Sequence, residues 1–522
     1  VSGLRNVALA AIAGWVMHLA FPAFGFWPAA ALGLALLWIA LERATVVKGF
    51  GLGLVAGLGF FLPLIRWTGV SVGPIPWIAL SLLESLAVGI FGAAWALARR
   101  HGPMHRTTPL RRTTPIKRAF ALEPVVFAML WTSAEVLRSL IPWGGFPWGR
   151  LAFSQVDAPP VGLAWLGGAS LVTFAVAVAG GCLGLASEGV GARKLSLPAM
   201  AFGGAVVVTL VGAFIPLDAS QETGTLRIGV AQGSVPNLGL DSFAQARKVL
   251  ENHVSATEEM AEHLEWTPDL VIWPENAADY DPRVDGITRD AVTAVSQLIG
   301  APILLGTQDY SPPKGRYNVS LLWAENGEVI GTYAKRHPAP FAEYIPWRSF
   351  ARIFSSAVDL VSRDMIPGTE IGVFEVPVPR LGRDVAVGDV ICFEVAYDGI
   401  VRDAIRVGGE ILVVQTNNAS FGMSPESVQQ LAMTRFRAIE TGRAAVQSST
   451  VGVSAIVAPD GEIIDRTGLF TADYMLEEVP LRTSLTPAVR FGGIIDWAFL
   501  LAPLVAAMAL GLERLRGRWE WD

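Results

Sequence analysis

Asp384 to Gly399 read DVAVGDVICFEVAYDG and place one of the chain's two cysteines between two kinds of sequence. Val385 to Ile391 is rich in β-branched residues, which predicts a strand. Glu394 to Val407 spaces Val395, Ile400, Ala404 and Ile405 as a helix would, so Cys392 is expected at a strand-to-helix elbow. An elbow presents its side chain, and a thiol near a helix N-terminus is expected to ionise below its usual ~8.5. Free cysteine is also among the most buried residue types, so Cys392 taken alone reads first as core packing.

The rest of the chain supplies the context. Its 522 residues are 52% hydrophobic and only 16% charged, too apolar and too long for one soluble domain. A membrane protein with a soluble part is expected, and the seventeen Trp suit the membrane–water interface. The net charge of −6 comes with no nucleic-acid patch; the one dense basic run, Arg99 to Arg118, holds two RTTP elements between apolar segments and reads as a membrane-orienting loop. Cys182 falls in an apolar span and Cys392 in polar sequence, so both are expected to be free thiols. Arg5 leads into apolar sequence with no small-residue cleavage site, so the first segment is expected to stay as an anchor.

Val7 to Leu41 carries no charge but is broken at Pro22 and Pro28, which predicts two short spans and a hairpin. Further spans are expected at Phe50 to Ile65, Trp77 to Ala98, Ala119 to Leu140, Gly162 to Ala186, Leu197 to Pro216 and, after the polar region, Ile494 to Leu512. Together they make a bundle of about eight spans. Arg43 and Lys48, the Arg99 to Arg118 run, Arg193 and Lys194, and the tail Arg514, Arg516 and Arg518 all fall on one side if both termini are cytoplasmic. The polar segment is then extracytoplasmic. Glu84, Glu123, Glu135 and Arg138 lie within spans and should face the bundle or a cavity, with Glu135 and Arg138 spaced to pair on one helix face. The following IPWGGFPWGRLAFSQ would form an aromatic, lipid-facing entrance.

From Gly224 to Val479 short β-branched runs alternate with amphipathic helices. The strands include LRIGVAQG, DLVIWPE, PILLGT, NVSLLWA, VAVGDVIC, EILVVQT, AAVQSSTVGVSAIVAP and GEIIDRT; the helices include Ser242 to Leu264, Ile287 to Leu298 and Pro425 to Thr441. Several strands are almost wholly apolar, so both faces are covered, as in a layered α/β domain. Three segments put ionisable residues at strand ends or in aromatic, Pro-rich loops: VIWPEN with Glu275, GTYAKRHPAPFAEYIPW with Lys335 and Glu343, and the elbow with Glu394. Brought together, a carboxylate base, an ammonium and a thiol would make an acyl-transfer site. Each alone also reads as a solvated charge, and Glu394 as a complement to a helix N-terminus.

The strings WPEN, YAKRHPAPFAEYIP and ICFE, then TRFRAIETGR, resemble the Glu-Lys-Cys carbon–nitrogen hydrolase (nitrilase) superfamily. With its spans and with Trp131, Glu135, Arg138, Phe146, Pro147 and Trp148, the chain looks like the apolipoprotein N-acyltransferase branch of it. The resemblance implies an α-β-β-α sandwich over residues 224–479, inserted between a seven-helix bundle at 1–220 and an eighth transmembrane helix with its tail at 490–522. It implies Glu275 as base, Lys335 as oxyanion stabiliser and Cys392 as nucleophile, with Glu343, Glu394, Phe393, Asn318 and Trp148 as supporting or substrate-binding residues. The implied reaction is ping-pong: a phospholipid acyl chain passes to Cys392 as a thioester, then to the α-amine of a lipoprotein's N-terminal diacylglyceryl-cysteine. A monomer in the bacterial inner membrane, catalytic domain outside, is expected. No cofactor or metal is called for, since none of the six His falls in a ligand-spaced cluster. Phe393 where the family commonly has Tyr, TNNASFG at Thr416 to Gly422, and VAQGSVPNLGLD without a Trp are departures that bear on donor contacts. Two other readings fit parts of the sequence: a membrane-anchored amidase or nitrilase with water as acceptor, and a transporter or receptor whose polar domain only binds.

Overall fold

The computed structural model describes residues 2–101, 115–191, 196–235 and 246–519. Residues 102–114 of the basic run, Arg193, Lys194, 236–241 of VAQGSVPNLGLD and the first residues of the helix expected from Ser242 lie outside these. The chain forms two compact units, one of Val1–Arg66, Trp77–Pro216 and Phe491–Asp522, the other of Trp67–Pro76 and Leu217–Arg490.

The first unit is helical: α1 (Ser2–His18), α2 (Pro28–Leu41), α3 (Val46–Leu64), α4 (Pro74–His101), α5 (Pro115–Arg138), α6 (Leu163–Gly191), α7 (Ser196–Leu210) and α13 (Pro487–Trp519). Each of the apolar segments expected from the sequence lies on one of them. Four of the described helices, α3, α4, α6 and α13, are long and apolar enough to cross a membrane; α2 and the stretch Pro198–Phe214 are shorter. Small residues let these helices meet, since a Cβ on Gly14 would lie 1.9 Å from the Ala56 carbonyl. The buried charges pair between helices rather than along one. Arg138 Nη1 meets Glu84 at 3.1 Å instead of the nearby Glu135, because the loop after α5 brings the Phe146 and Trp148 carbonyls onto the same guanidinium at 2.9 and 2.7 Å. Glu135 instead accepts from Trp131 Nε1, Thr173 Oγ1 and Leu151 N. Trp148, Arg150 and Leu151 to Gln155, expected at a lipid-facing entrance, are buried inside this unit.

The second unit carries two six-stranded sheets, with β1 (Thr225–Gln232), β2 (Leu270–Ile272), β3 (Ile303–Asp309), β4 (Tyr317–Trp323), β5 (Val329–Ala334), β6 (Val373–Val378), β7 (Arg383–Ile391), β8 (Ile411–Thr416), β9 (Ala445–Ser449), β10 (Ala455–Val457), β11 (Ile463–Arg466) and β12 (Asp473–Pro480). Their orders are β12-β1-β2-β3-β4-β5 and β11-β10-β9-β8-β7-β6. Each has a parallel trio, β1-β2-β3 and β7-β8-β9, flanked by antiparallel strands. One apolar core joins the two sheets face to face, through Ile228, Ile272 and Leu304 against Val385, Val387, Val413 and Val446. A second core packs β1 to β4 against α8 (Ala246–Glu262) and α9 (Gly286–Ile299). On the other sheet lie α11 (Asp398–Arg406) and α12 (Glu426–Thr441), while the short α10 (Arg348–Phe354) sits in the loop after β5. The layering is α-β-β-α. Continuous apolar runs such as ILVVQT of β8 are buried on both faces, as a parallel strand between two layers requires.

Candidate active site

The ionisable residues stand at the carboxyl ends of strands, where α/β sheets bind ligands, Glu275 and Cys392 from the parallel trios and Lys335 from the antiparallel edge strand β5. Glu275 follows β2 and Pro274, Lys335 follows β5, Cys392 follows β7, and Thr416 and Asn417 end β8. Gly306 on β3 lets the first of these loops cross: a Cβ there would lie 2.7 Å from Glu275 Cα, Asn276 N and the Pro274 carbonyl.

Cys392 turns at φ +57°, the left-handed region that a side chain rarely adopts. Asn276, beside Glu275, is held in the same region. Such strain persists only where the surroundings fix it, and Glu394 does so here. Its carboxylate accepts from Ile391 N at 2.8 Å and Tyr333 OH at 2.9 Å on one oxygen, and from Arg336 N at 2.7 Å and His337 N at 3.0 Å on the other. One buried carboxylate therefore ties the elbow of Cys392 to the loop of Lys335. Arg437, in the TRFRAIETGR stretch of α12, holds the turn from the far side by donating to the Val395 and Ala396 carbonyls, both at 2.8 Å.

Glu275, Lys335 and Cys392 come together and are buried. Lys335 Nζ lies 3.6 Å from Glu275 Oε1 and 2.7 Å from Glu343 Oε1. Glu275 also accepts from Asn318 Nδ2 at 2.6 Å and from Asn417 N at 2.8 Å, and its charge bears on the neighbouring Cys392 thiol. Thr416 Oγ1 is 3.3 Å and Gln430 Nε2 3.9 Å from Sγ. Burial opposes the Lys335 charge, but the Glu343 and Glu275 carboxylates outweigh it and hold the ammonium above its ordinary range. Burial raises Glu275, which Lys335 only partly offsets.

The thiol departs from expectation. Burial, followed by the Glu275 charge, pushes Cys392 well above its ordinary value, with Lys335 opposing. The side chain is 5% exposed rather than presented to solvent. The helix expected from Glu394 begins only at Asp398, after a 3-10 turn over Cys392–Ala396, and a helix dipole fades within its first turn. Cys392 rests as a neutral thiol beside Glu275.

Phe393 packs its ring against Trp67 at 5.8 Å and Phe421 at 6.0 Å, and Trp67 Nε1 donates to Gln429 Oε1 at 3.2 Å. Phe393 and the Thr416 to Gly422 stretch are marked in the sequence; Trp67, Gln429 and Gln430, which complete this surround, carry no motif there. Trp148 belongs to the helical unit, where its indole is buried and stacked on Phe146. Beyond Glu343 the chain exposes Trp347, Phe350, Ile353, Phe354 and Leu360. Among the described residues no group of His, Cys, Asp and Glu could hold a metal ion.

Family models match the chain in two places: apolipoprotein N-acyltransferase N-terminal domain over residues 13–182 and carbon–nitrogen hydrolase over residues 227–484. A protein of Mycolicibacterium smegmatis named apolipoprotein N-acyltransferase is 36% identical, covering 94% of this chain and 82% of its own. The chain belongs to the apolipoprotein N-acyltransferase family. Another bearer of that name, from Azotobacter vinelandii, is 30% identical over 98% of this chain and 95% of its own. Among solved structures, an amidase of the nitrilase superfamily from Nesterenkonia aligns with 52% of the chain and 95% of its own at 17% identity and a TM-score of 0.38.

Proposed function

We propose that this member of the apolipoprotein N-acyltransferase family transfers an acyl chain from a phospholipid to the α-amine of a lipoprotein's N-terminal diacylglyceryl-cysteine, through a thioester on Cys392. The observation that carries the reading is the buried cluster of Glu275, Lys335 and Cys392 at the strand ends. Glu275 takes the thiol proton as Sγ attacks the donor ester and returns it to the departing lysophospholipid hydroxyl. Lys335, held charged by Glu343, stabilises the oxyanion. In the second half the neutral acceptor amine attacks the thioester, Glu275 takes a proton from it, and the thiol is restored as sulfur leaves. A thiol that rests neutral and ionises only as it attacks is protected from stray electrophiles between turnovers.

Residues 1–220 and 490–522 form the membrane bundle of about eight spans, and 224–479 the catalytic domain on the extracytoplasmic side of the inner membrane, an orientation supported by the one-sided basic loops. The exposed Trp347, Phe350, Ile353 and Phe354 suit lipid chains at the site's edge. The test is the state of lipoprotein N-termini in cells whose only copy is Cys392→Ala: they should remain free amines, and continued N-acylation there contradicts the reading.

A further inference from the structure

Glu426 opens α12 and is fully buried. Asn418 Nδ2 donates to its Oε2 at 2.7 Å, whereas Oε1 has no hydrogen-bond partner among the described residues. The direction of that contact is fixed. Ser449 Oγ accepts from Gly452 N, so its own proton goes to Asn418 Oδ1 at 2.5 Å, which leaves the Asn418 NH2 to face Glu426 and Gln430 Oε1. Thr416 Oγ1 donates to the same Gln430 oxygen at 3.0 Å, and Thr416 and Gln430 both reach Cys392 Sγ. One polar network thus runs from the Glu426 carboxyl to the nucleophile.

The charges around it are unequal. Lys335 already faces two carboxylates, Glu275 and Glu343. Glu426 is near enough for its charge to bear on both Glu275 and Cys392, and among the described residues no cation pairs with it. A buried carboxylate without a cation is expensive, so the acid keeps its proton. Resting on the reading of Cys392 as nucleophile, we propose that Glu426 is a positioning residue that must be neutral for Cys392 to react, and that its ionisation switches the nucleophile off. When neutral it leaves Glu275 to take the thiol proton beside an uncharged neighbour. When ionised it sets a further negative charge against the forming thiolate. Burial pushes Glu426 up to about 8, with Asn418 opposing and Glu275 adding to the rise, so the switch falls just above neutrality.

The test is the rate of Cys392 alkylation by iodoacetamide in the full-length protein in detergent, read by peptide mass to separate Cys182, from about pH 6.5 to about pH 9.5. The wild-type rate should rise with pH, then bend near pH 8 as Glu426 ionises. Glu426→Gln keeps an acceptor for Asn418 but cannot ionise, so its rate should climb without the bend. The ratio of Glu426→Gln to wild type should grow by about tenfold across the range, the effect of one neighbouring charge worth about one pKa unit. A pH-independent ratio overturns the proposal, because a merely structural role would change the rate equally at every pH. Should the variant fail to fold, the wild-type curve decides: an unbroken single titration overturns the proposal too. Either failure, with a phospholipid-derived acyl adduct still forming on Cys392, leaves the nucleophile reading intact; absence of the adduct sinks that reading instead.

Discussion

Replacing Glu394 with Gln removes one charge and one acceptor from the point where the Cys392 elbow meets the Lys335 loop. The wild-type carboxylate accepts four hydrogen bonds. The amide can turn two ways. With its NH2 toward Arg336 and His337, two backbone N–H groups lose their acceptor. With its NH2 toward Ile391 and Tyr333, the tyrosine hydroxyl can rotate to accept and only Ile391 N–H is orphaned. The second way is cheaper, and it places the orphan directly before Cys392. A buried orphan costs about 1–3 kcal/mol, and the remaining bonds lose their charge assistance. The predicted loss of stability is therefore about 3 kcal/mol. The elbow at φ +57° stores about 1–3 kcal/mol of strain that the clamp no longer restrains, so acyl-enzyme formation should fall roughly 100-fold, at about 1.4 kcal/mol per tenfold. Denaturant unfolding in detergent and single-turnover acylation from phospholipid measure the two effects. A Glu394→Gln protein with stability unchanged and acylation within about threefold of wild type refutes the clamp.

Other changes test other parts of the site. Gly306→Ala sets a Cβ against the backbone of Pro274, Glu275 and Asn276, so Glu275, the proposed base, must move and acylation should fall at least tenfold, roughly the cost of a misplacement under 1 Å, with phospholipid binding retained. Trp67→Ala removes a ring that packs on both Phe393 and Phe421 and should cost about 3–5 kcal/mol in the unfolding of the catalytic unit; a cost below about 1 kcal/mol would mean the aromatic group supports nothing. Asp389 is buried on β7, and burial pushes its carboxyl up to about 8 from an ordinary carboxylate value. Its neutral form is native, so the stability it contributes is complete below the ordinary carboxylate range and is lost as pH rises toward 8. Asp389→Asn should flatten that decline in unfolding midpoints, and an unchanged slope would show that Asp389 is ionised in the fold.

The sequence revealed the interior of the catalytic domain better than its margins, for a physical reason. Strands buried on both faces read as continuous apolar runs, and β1, β2, β3, β4, β7 and β8 were all found that way. The missed strands β5, β6 and β12 are sheet edges. Their burial alternates, as VFEVPV of β6 shows, and Pro377 is tolerated there because an edge strand need not donate from every N–H. Glu275 and Cys392 were legible because strands that read as apolar runs carry them at their ends, and Lys335 because it stands in the aromatic, Pro-rich GTYAKRHPAPFAEYIPW segment. Gln430 and Glu426 were not, because α12 carries Glu, Gln, Thr and Arg side chains that look solvated and are buried instead. The resting state of Cys392 was misjudged for a similar reason: spacing suggested a helix N-terminus, whereas full burial and a neighbouring carboxylate set its charge. Arg138 followed the same logic, since its partner Glu84 is remote in sequence and adjacent only in the packed bundle.

The most direct test is intact mass of the full-length protein after incubation with phospholipid alone, and again after adding a diacylglyceryl lipopeptide with a free α-amine. Cys392 should gain the mass of one acyl chain, sensitive to hydroxylamine as a thioester is, and lose it to the lipopeptide amine. Cys392→Ala should gain nothing. Acylated lipopeptide formed with no adduct on Cys392, or formed by Cys392→Ala, would contradict the account.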